Sequence, residues 1–84
     1  MKLYIVRCLV TDLIKIGITK DAGKRLKQLQ TGSPTQLHLV KTFNVEPAEA
    51  HRIEAKIHRL CKSYHSHGEW FQKEAEATVR SILQ

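Results

Sequence analysis

Glu54 and His58 stand four residues apart in a stretch whose apolar residues follow helical spacing. A carboxylate and an imidazole so spaced lie one above the other on a helix face. They can share a divalent metal, or one can hold the other's tautomer. His51, Cys61 and His65 extend the same stripe. The order H-x-x-E-x-x-x-H differs from the H-E-x-x-H of zinc proteases, where both histidines bind the metal. A zinc site from His51, His58, Cys61 and His65 runs against the usual pattern, in which ligands come from two segments around a turn. The plainer reading of the stripe is a polar flank with helix ion pairs. Tyr4 is the second candidate. A strand tyrosine is ordinarily core with its hydroxyl at the rim. It becomes a proton acceptor if nearby cations lower its pKa, and Lys15 and Arg25 are the cations at hand. Ser33 and Thr19 have no histidine–acid partner in the sequence, and no glycine-rich phosphate loop is present.

The stretch Leu13–Leu29 must position most of these groups. Ile14, Ile16 and Ile18 alternate with Lys15 and Gly17, the pattern of a strand with one apolar face. Lys15 emerges on the opposite face, and Gly17 leaves that face open to close approach. Asp21 is a good N-cap for a helix over 22–30, which Thr31-Gly32-Ser33-Pro34 stops. Lys20, Lys24, Arg25 and Lys27 make that helix basic. A strand lysine, a gap at Gly17 and an arginine one turn into the helix would form a positive pocket of phosphate size. The alternative is a βα unit with a solvated lysine face.

Eighty-four residues make a single domain, 1–84, with one thin core. The net charge of +6 favours a polyanionic partner, most simply nucleic acid. Cys8 and Cys61 are far apart in sequence and show neither a zinc-ribbon spacing nor a disulfide framework. A reduced, intracellular and cytoplasmic setting is expected. Arg7 and Thr11-Asp12 break the early apolar run, which is too short for a signal peptide or a membrane span.

The remaining elements follow from periodicity. Residues 3–10 read as a strand, with Tyr4, Val6 and Cys8 on one face and Leu3, Ile5, Arg7 and Leu9 on the other. It should pair antiparallel with the strand after it, placing Tyr4 and Lys15 on one face if register allows. Residues 37–45 read as a third strand. Val40 and Phe43 are both expected to be mostly buried, which simple alternation does not explain. A long helix from Glu46-Pro47 to about Tyr64 should bury Ala50, Ile53, Ile57, Leu60 and Tyr64. Glu69-Trp70-Phe71 reads as a short extended piece whose aromatics should plug the core. Glu69 is a candidate second carboxylate, but its place in Gly68-Glu69-Trp70-Phe71 points to ordering this turn. An amphipathic helix over 73–83 closes the chain. The fold class is α/β (α+β): a small antiparallel three-stranded sheet flanked by helices, in β-β-α-β-α-α order.

This order resembles the GIY-YIG nuclease domain over about residues 1–71. Lys2-Leu3-Tyr4 occupies the place of G-I-Y, and Lys15-Ile16-Gly17 that of Y-I-G. Lys20 to Leu26 runs without a gap into the family's helix and puts Arg25 at its catalytic arginine. Glu54, in Ala50-x-x-x-Glu54-x-x-x-His58, looks like the metal-binding glutamate. With Gly68-Glu69-Trp70-Phe71, these features resemble the phage-type branch, similar to the meiotically up-regulated 113-like domains. The departures are Lys2 for the glycine of G-I-Y and Lys15 for the first tyrosine of Y-I-G. The family's late asparagine has no clear counterpart, and Glu69 or Trp70 falls near its place.

The resemblance implies a metal-dependent endonuclease, with DNA the expected substrate over RNA. Glu54 would hold one Mg²⁺ or Mn²⁺, and Arg25 would bind the scissile phosphate with its planar fork. Tyr4 would take a proton from the attacking water. Lys15 would lower the pKa of Tyr4 or act as a base itself if buried and neutral, and His58 would be a reserve base or a partner of Glu54. Gly17 and Trp70 would be structural, and Lys20, Lys24 and Lys27 would contact phosphates. The alternative is a non-catalytic nucleic-acid-binding or regulatory module on the same scaffold. A homodimer could supply two active sites, but no dimer face is legible, and no membrane partner is expected.

Overall fold

The computed structural model describes residues 1–84 as one five-stranded antiparallel sheet between helices. Strand β1 is Lys2–Cys8, β2 Ile14–Thr19, helix α1 Ala22–Thr31 and β3 Leu37–Asn44. Helix α2 is Ala50–Leu60, followed by a 3-10 turn at Lys62–Tyr64, β4 at His65–His67, β5 at Trp70–Phe71 and α3 at Ala75–Leu83. The spatial order is β3-β1-β2-β5-β4. The sheet therefore has five strands rather than three. The two extra ones are the extended aromatic piece and its hairpin partner, joined through Gly68 at φ +55°, a conformation that glycine adopts freely.

Alternation sorts β1 and β2 as expected. Leu3, Ile5, Ile14 and Ile16 face α2 and α3 in a core with Phe43, Ile57, Cys61, Phe71, Ala75 and Val79. Tyr4, Val6, Cys8 and Leu37 face α1, against Leu26, Leu29, Leu39 and Trp70. Strand β1 ends at Cys8, two residues short of Val10. Leu9 and Val10 lie exposed in a turn where Asp12 takes a positive φ of 63°.

The register of β3 explains Val40. Val6 pairs with Leu39 but Ile5 pairs with Lys41, so Val40 is an extra residue in a bulge. The bulge flips the side-chain parity. Leu37 and Leu39 face α1, while Val40 and Phe43 join the other core.

Helix α2 departs from its expected stripe. Ala50, Ile57 and Cys61 are fully buried, whereas Leu60 is 50% exposed. The core line thus runs nearer to Glu54 and His58 than apolar spacing alone implied, which brings both half-buried against the sheet. The helix also ends at Leu60, and Tyr64 sits in the 3-10 turn. No helix is long and apolar enough to cross a membrane.

Candidate active site

Tyr4 and Gly17 are directly opposed in the β1–β2 ladder. With no side chain on Gly17, the Tyr4 ring lies down over the bare strand. A Cβ at Gly17 would stand 2.6 Å from Oη and 2.8 Å from Cζ of Tyr4. The glycine therefore sets where the phenol goes, and Tyr4 is only 2% exposed there.

Helix α1 delivers Arg25. Asp21 caps it, accepting a hydrogen bond from the Lys24 amide at 3.1 Å. Leu26 and Leu29 turn inward, and Arg25 beside them is half-buried with its guanidinium against the Tyr4 hydroxyl. Its Nη1 also reaches Gln28 Oε1 at 3.5 Å. The Tyr4 hydroxyl, and the charge of Glu69, hold Arg25 more firmly protonated than usual. Lys20, Lys24 and Lys27 are exposed on and just before this helix.

Glu54 comes from the other side of the sheet. Strand β5 pairs with β2 at Ile14 and Lys15, and the Glu69 carbonyl takes the Ile16 amide, which leaves the Ile16 carbonyl and the residues after it without a strand partner on that edge. There the His58 Nε2–H donates to the Ile16 carbonyl at 2.8 Å, and the ring packs on Phe71 at 5.1 Å. His58 thus continues the ladder where β5 stops and pins α2 to the edge. Its bond goes to the strand and not to Glu54. One helical turn earlier, Glu54 lies close enough to Tyr4 for its charge to act on the phenol.

Glu69 completes the cluster, and sequence reasoning gave it too little weight. Its backbone carbonyl accepts from the Ile16 amide at 3.3 Å, which orders the turn. Its side chain does more. The carboxylate pairs with Lys15 Nζ at 3.4 Å and acts on both Tyr4 and Arg25. The signal was its register. Trp70 pairs with Lys15, so the residue before it sits beside the Tyr4–Gly17 pair. Trp70 is half-buried, and Lys15 Nζ lies 5.5 Å from the centre of its ring.

These contacts change the expected proton chemistry. Burial, above all, pushes the Tyr4 phenol above its ordinary value of 10.0; the charges of Glu69 and Glu54 add to this, and contact with Arg25 opposes it without prevailing. Lys15 is committed to Glu69 and has no part in the shift. Tyr4 is therefore a neutral phenol at neutral pH.

No three of the His, Cys, Asp and Glu side chains come together, so His51, His58, Cys61 and His65 do not form a zinc set. Cys61 is buried and His51 and His65 are exposed. Burial pushes the Cys61 thiol up. A lone half-buried carboxylate such as Glu54 suits a hard ion such as Mg²⁺, which takes one or two carboxylates and fills its shell with water and phosphate oxygens.

The fold and site define a small antiparallel α+β domain with a phenol, a guanidinium and carboxylates gathered at one sheet edge. Within that class, the chain belongs to the T5orf172 domain family, which it matches over residues 3–84. No curated protein and no solved structure matches it.

Proposed function

We propose that this domain is a metal-dependent endonuclease of the GIY-YIG type, hydrolysing phosphodiester bonds in nucleic acid, with DNA the simplest substrate. The seating of Tyr4 over Gly17, with Arg25 against its hydroxyl and the charges of Glu69 and Glu54 reaching it, carries this reading. The family's occurrence in phage-associated, GIY-YIG-like endonuclease contexts supports it.

Arg25 grips two oxygens of the scissile phosphate with its fork, and the exposed Lys20, Lys24 and Lys27 hold the flanking backbone. Glu54 would hold one Mg²⁺ or Mn²⁺, and such an ion would supply charge neutralisation at the phosphate and the leaving oxygen. Tyr4, being neutral, does not act as a preformed phenolate. Its Oη accepts the proton of the attacking water as its own proton passes to the Glu69 carboxylate, whose charge already acts on the phenol. Lys15 holds Glu69 in place. His58 fixes the height of Glu54 by anchoring α2.

A binding module without catalysis is favoured by one observation. The Lys15 ammonium, where the resembled family has a tyrosine, is tied to Glu69 rather than offered to the phenol. Nicking of supercoiled plasmid with Mg²⁺, Mn²⁺ or EDTA separates the two, with Glu54→Ala in parallel. The nuclease reading expects metal-dependent nicked circles that vanish in Glu54→Ala while salt-sensitive binding persists. Equal binding by both proteins with no cleavage in any metal would replace it with the binding module.

A further inference from the structure

A groove opens beside Arg25 on the α1 face of the sheet. Trp70 forms one wall and the Gly32–Ser33–Pro34 turn the other, with Lys15, Gln28 and Leu29 at the end nearest the site. Its volume is about 340 Å³, at the lower end of the roughly 300–1,000 Å³ of small-molecule sites. It continues past Ser33 and Trp70 into a smaller chamber reached by Cys8, Thr11, Thr35 and His67. The two together make a trough leading away from the proposed cleavage position.

We infer that this trough takes an unpaired nucleobase of the strand whose phosphate Arg25 holds, so that the substrate is single-stranded next to the cleaved bond. The inference rests on the endonuclease reading and deepens it. Three observations carry it. The wall is a half-buried indole, and an indole plane is a sequence-tolerant stacking surface for any base. The trough is joined to the phosphate-binding group, since Gln28 both lines it and accepts from Arg25 at 3.5 Å. The Gln28 carboxamide nitrogen bonds nothing within the protein and is free to meet a base edge. In a duplex the base is stacked inside the helix and cannot enter while its phosphate lies on Arg25. It must be flipped out or already unpaired. Single strands, flaps and frayed ends meet that condition without the cost of unstacking.

Trp70 is the only tryptophan in the chain, so its emission reports the trough directly. The full chain in EDTA, where cleavage is excluded, is titrated with three probes: an oligothymidylate of about ten nucleotides, an abasic strand of equal length, and a duplex. Stacking predicts quenching by oligothymidylate alone and affinity about five- to 150-fold above that for the abasic strand. Trp70→Phe should retain this preference and Trp70→Leu should lose it, while both keep the salt-dependent phosphate component. Equal affinity for oligothymidylate and the abasic strand, with no quenching, would overturn the inference and leave the endonuclease standing. No binding of any probe at low salt would remove both. The comparison of probes on the unaltered protein decides the matter even if Trp70→Leu fails to fold.

Discussion

Gly17→Ala should destabilise this domain, and the sign of the change tests how the site is built. Replacing a strand glycine by alanine ordinarily stabilises by about 0.5–1 kcal/mol, because the unfolded chain loses freedom. Here the new methyl would stand 2.6 Å from Tyr4 Oη and 2.8 Å from Cζ. The ring cannot swing away, since Tyr4 is 2% exposed and packed in the core that includes Leu26, Leu29 and Trp70. Overpacking of this kind costs about 1–3 kcal/mol. The net expectation is a loss of about 1–2 kcal/mol, or a fall in Tm of roughly 5–15 °C for a domain of this size. Urea denaturation followed by circular dichroism measures it. The same substitution in a Tyr4→Leu background meets no ring and should be neutral or stabilising, giving a coupling of about 1–3 kcal/mol. A Gly17→Ala protein as stable as the parent, or an equal loss in both backgrounds, would refute the account of Gly17 as the seat of the Tyr4 ring.

Three further outcomes follow from the geometry. In near-ultraviolet titration, Tyr4 should ionise above its ordinary 10.0, a late step that Tyr4→Phe removes. Because the folded pKa is the higher one, stability from keeping the phenol neutral is complete below about pH 10 and declines as pH rises from there through the folded value. A single early step for both tyrosines would count against the burial of Tyr4. Hydrogen bonds from Thr11 and Thr35 pull the Cys8 thiol down to about 7, so iodoacetamide should label Cys8 before Cys61 near neutral pH, as read by mass spectrometry. Thr11→Ala should move that labelling to higher pH, and an unchanged profile would refute the assignment. Leu60→Lys should change stability by less than about 0.5 kcal/mol, while Ile57→Ala should cost about 2–5 kcal/mol. Comparable losses in denaturant melts would mean that the core line of α2 is misplaced.

What the sequence shows and what it hides divide along a physical boundary. Asp21 was readable as a cap, and Ile14, Ile16 and Ile18 as a strand face, because both depend on neighbours a few residues away. Val40 and Phe43 were both expected to be mostly buried without a reason; Phe43 is, and Val40 packs partly buried against the same core. The reason is a bulge opposite Ile5 and Val6, and no property of residues 37–45 announces it. Strands of three and two residues, such as β4 and β5, are too short to carry a period and exist because β2 offers them a partner. Leu60 was misplaced on the same ground. Apolar spacing gives a helix a stripe but not the meridian of that stripe, which is set by what packs on it.

The site follows the same rule. Tyr4, Arg25 and Glu54 were legible as residues able to handle a phosphate; the structure sets Arg25 against Tyr4 and leaves Glu54 near enough for its charge to reach the phenol. The charge balance around Tyr4 was not legible, because it turns on Glu69, fifteen residues beyond Glu54 and brought in by the β2–β5 pairing. Counting nearby cations predicted a lowered phenol pKa. Glu69 claims Lys15, burial penalises the phenolate, and one guanidinium cannot offset both. A buried phenol between carboxylates is poorly suited to hold a negative charge and well suited to pass a proton through. Under the proposed nuclease reading, a relay through Tyr4 rather than attack assisted by a standing phenolate is therefore the step we propose.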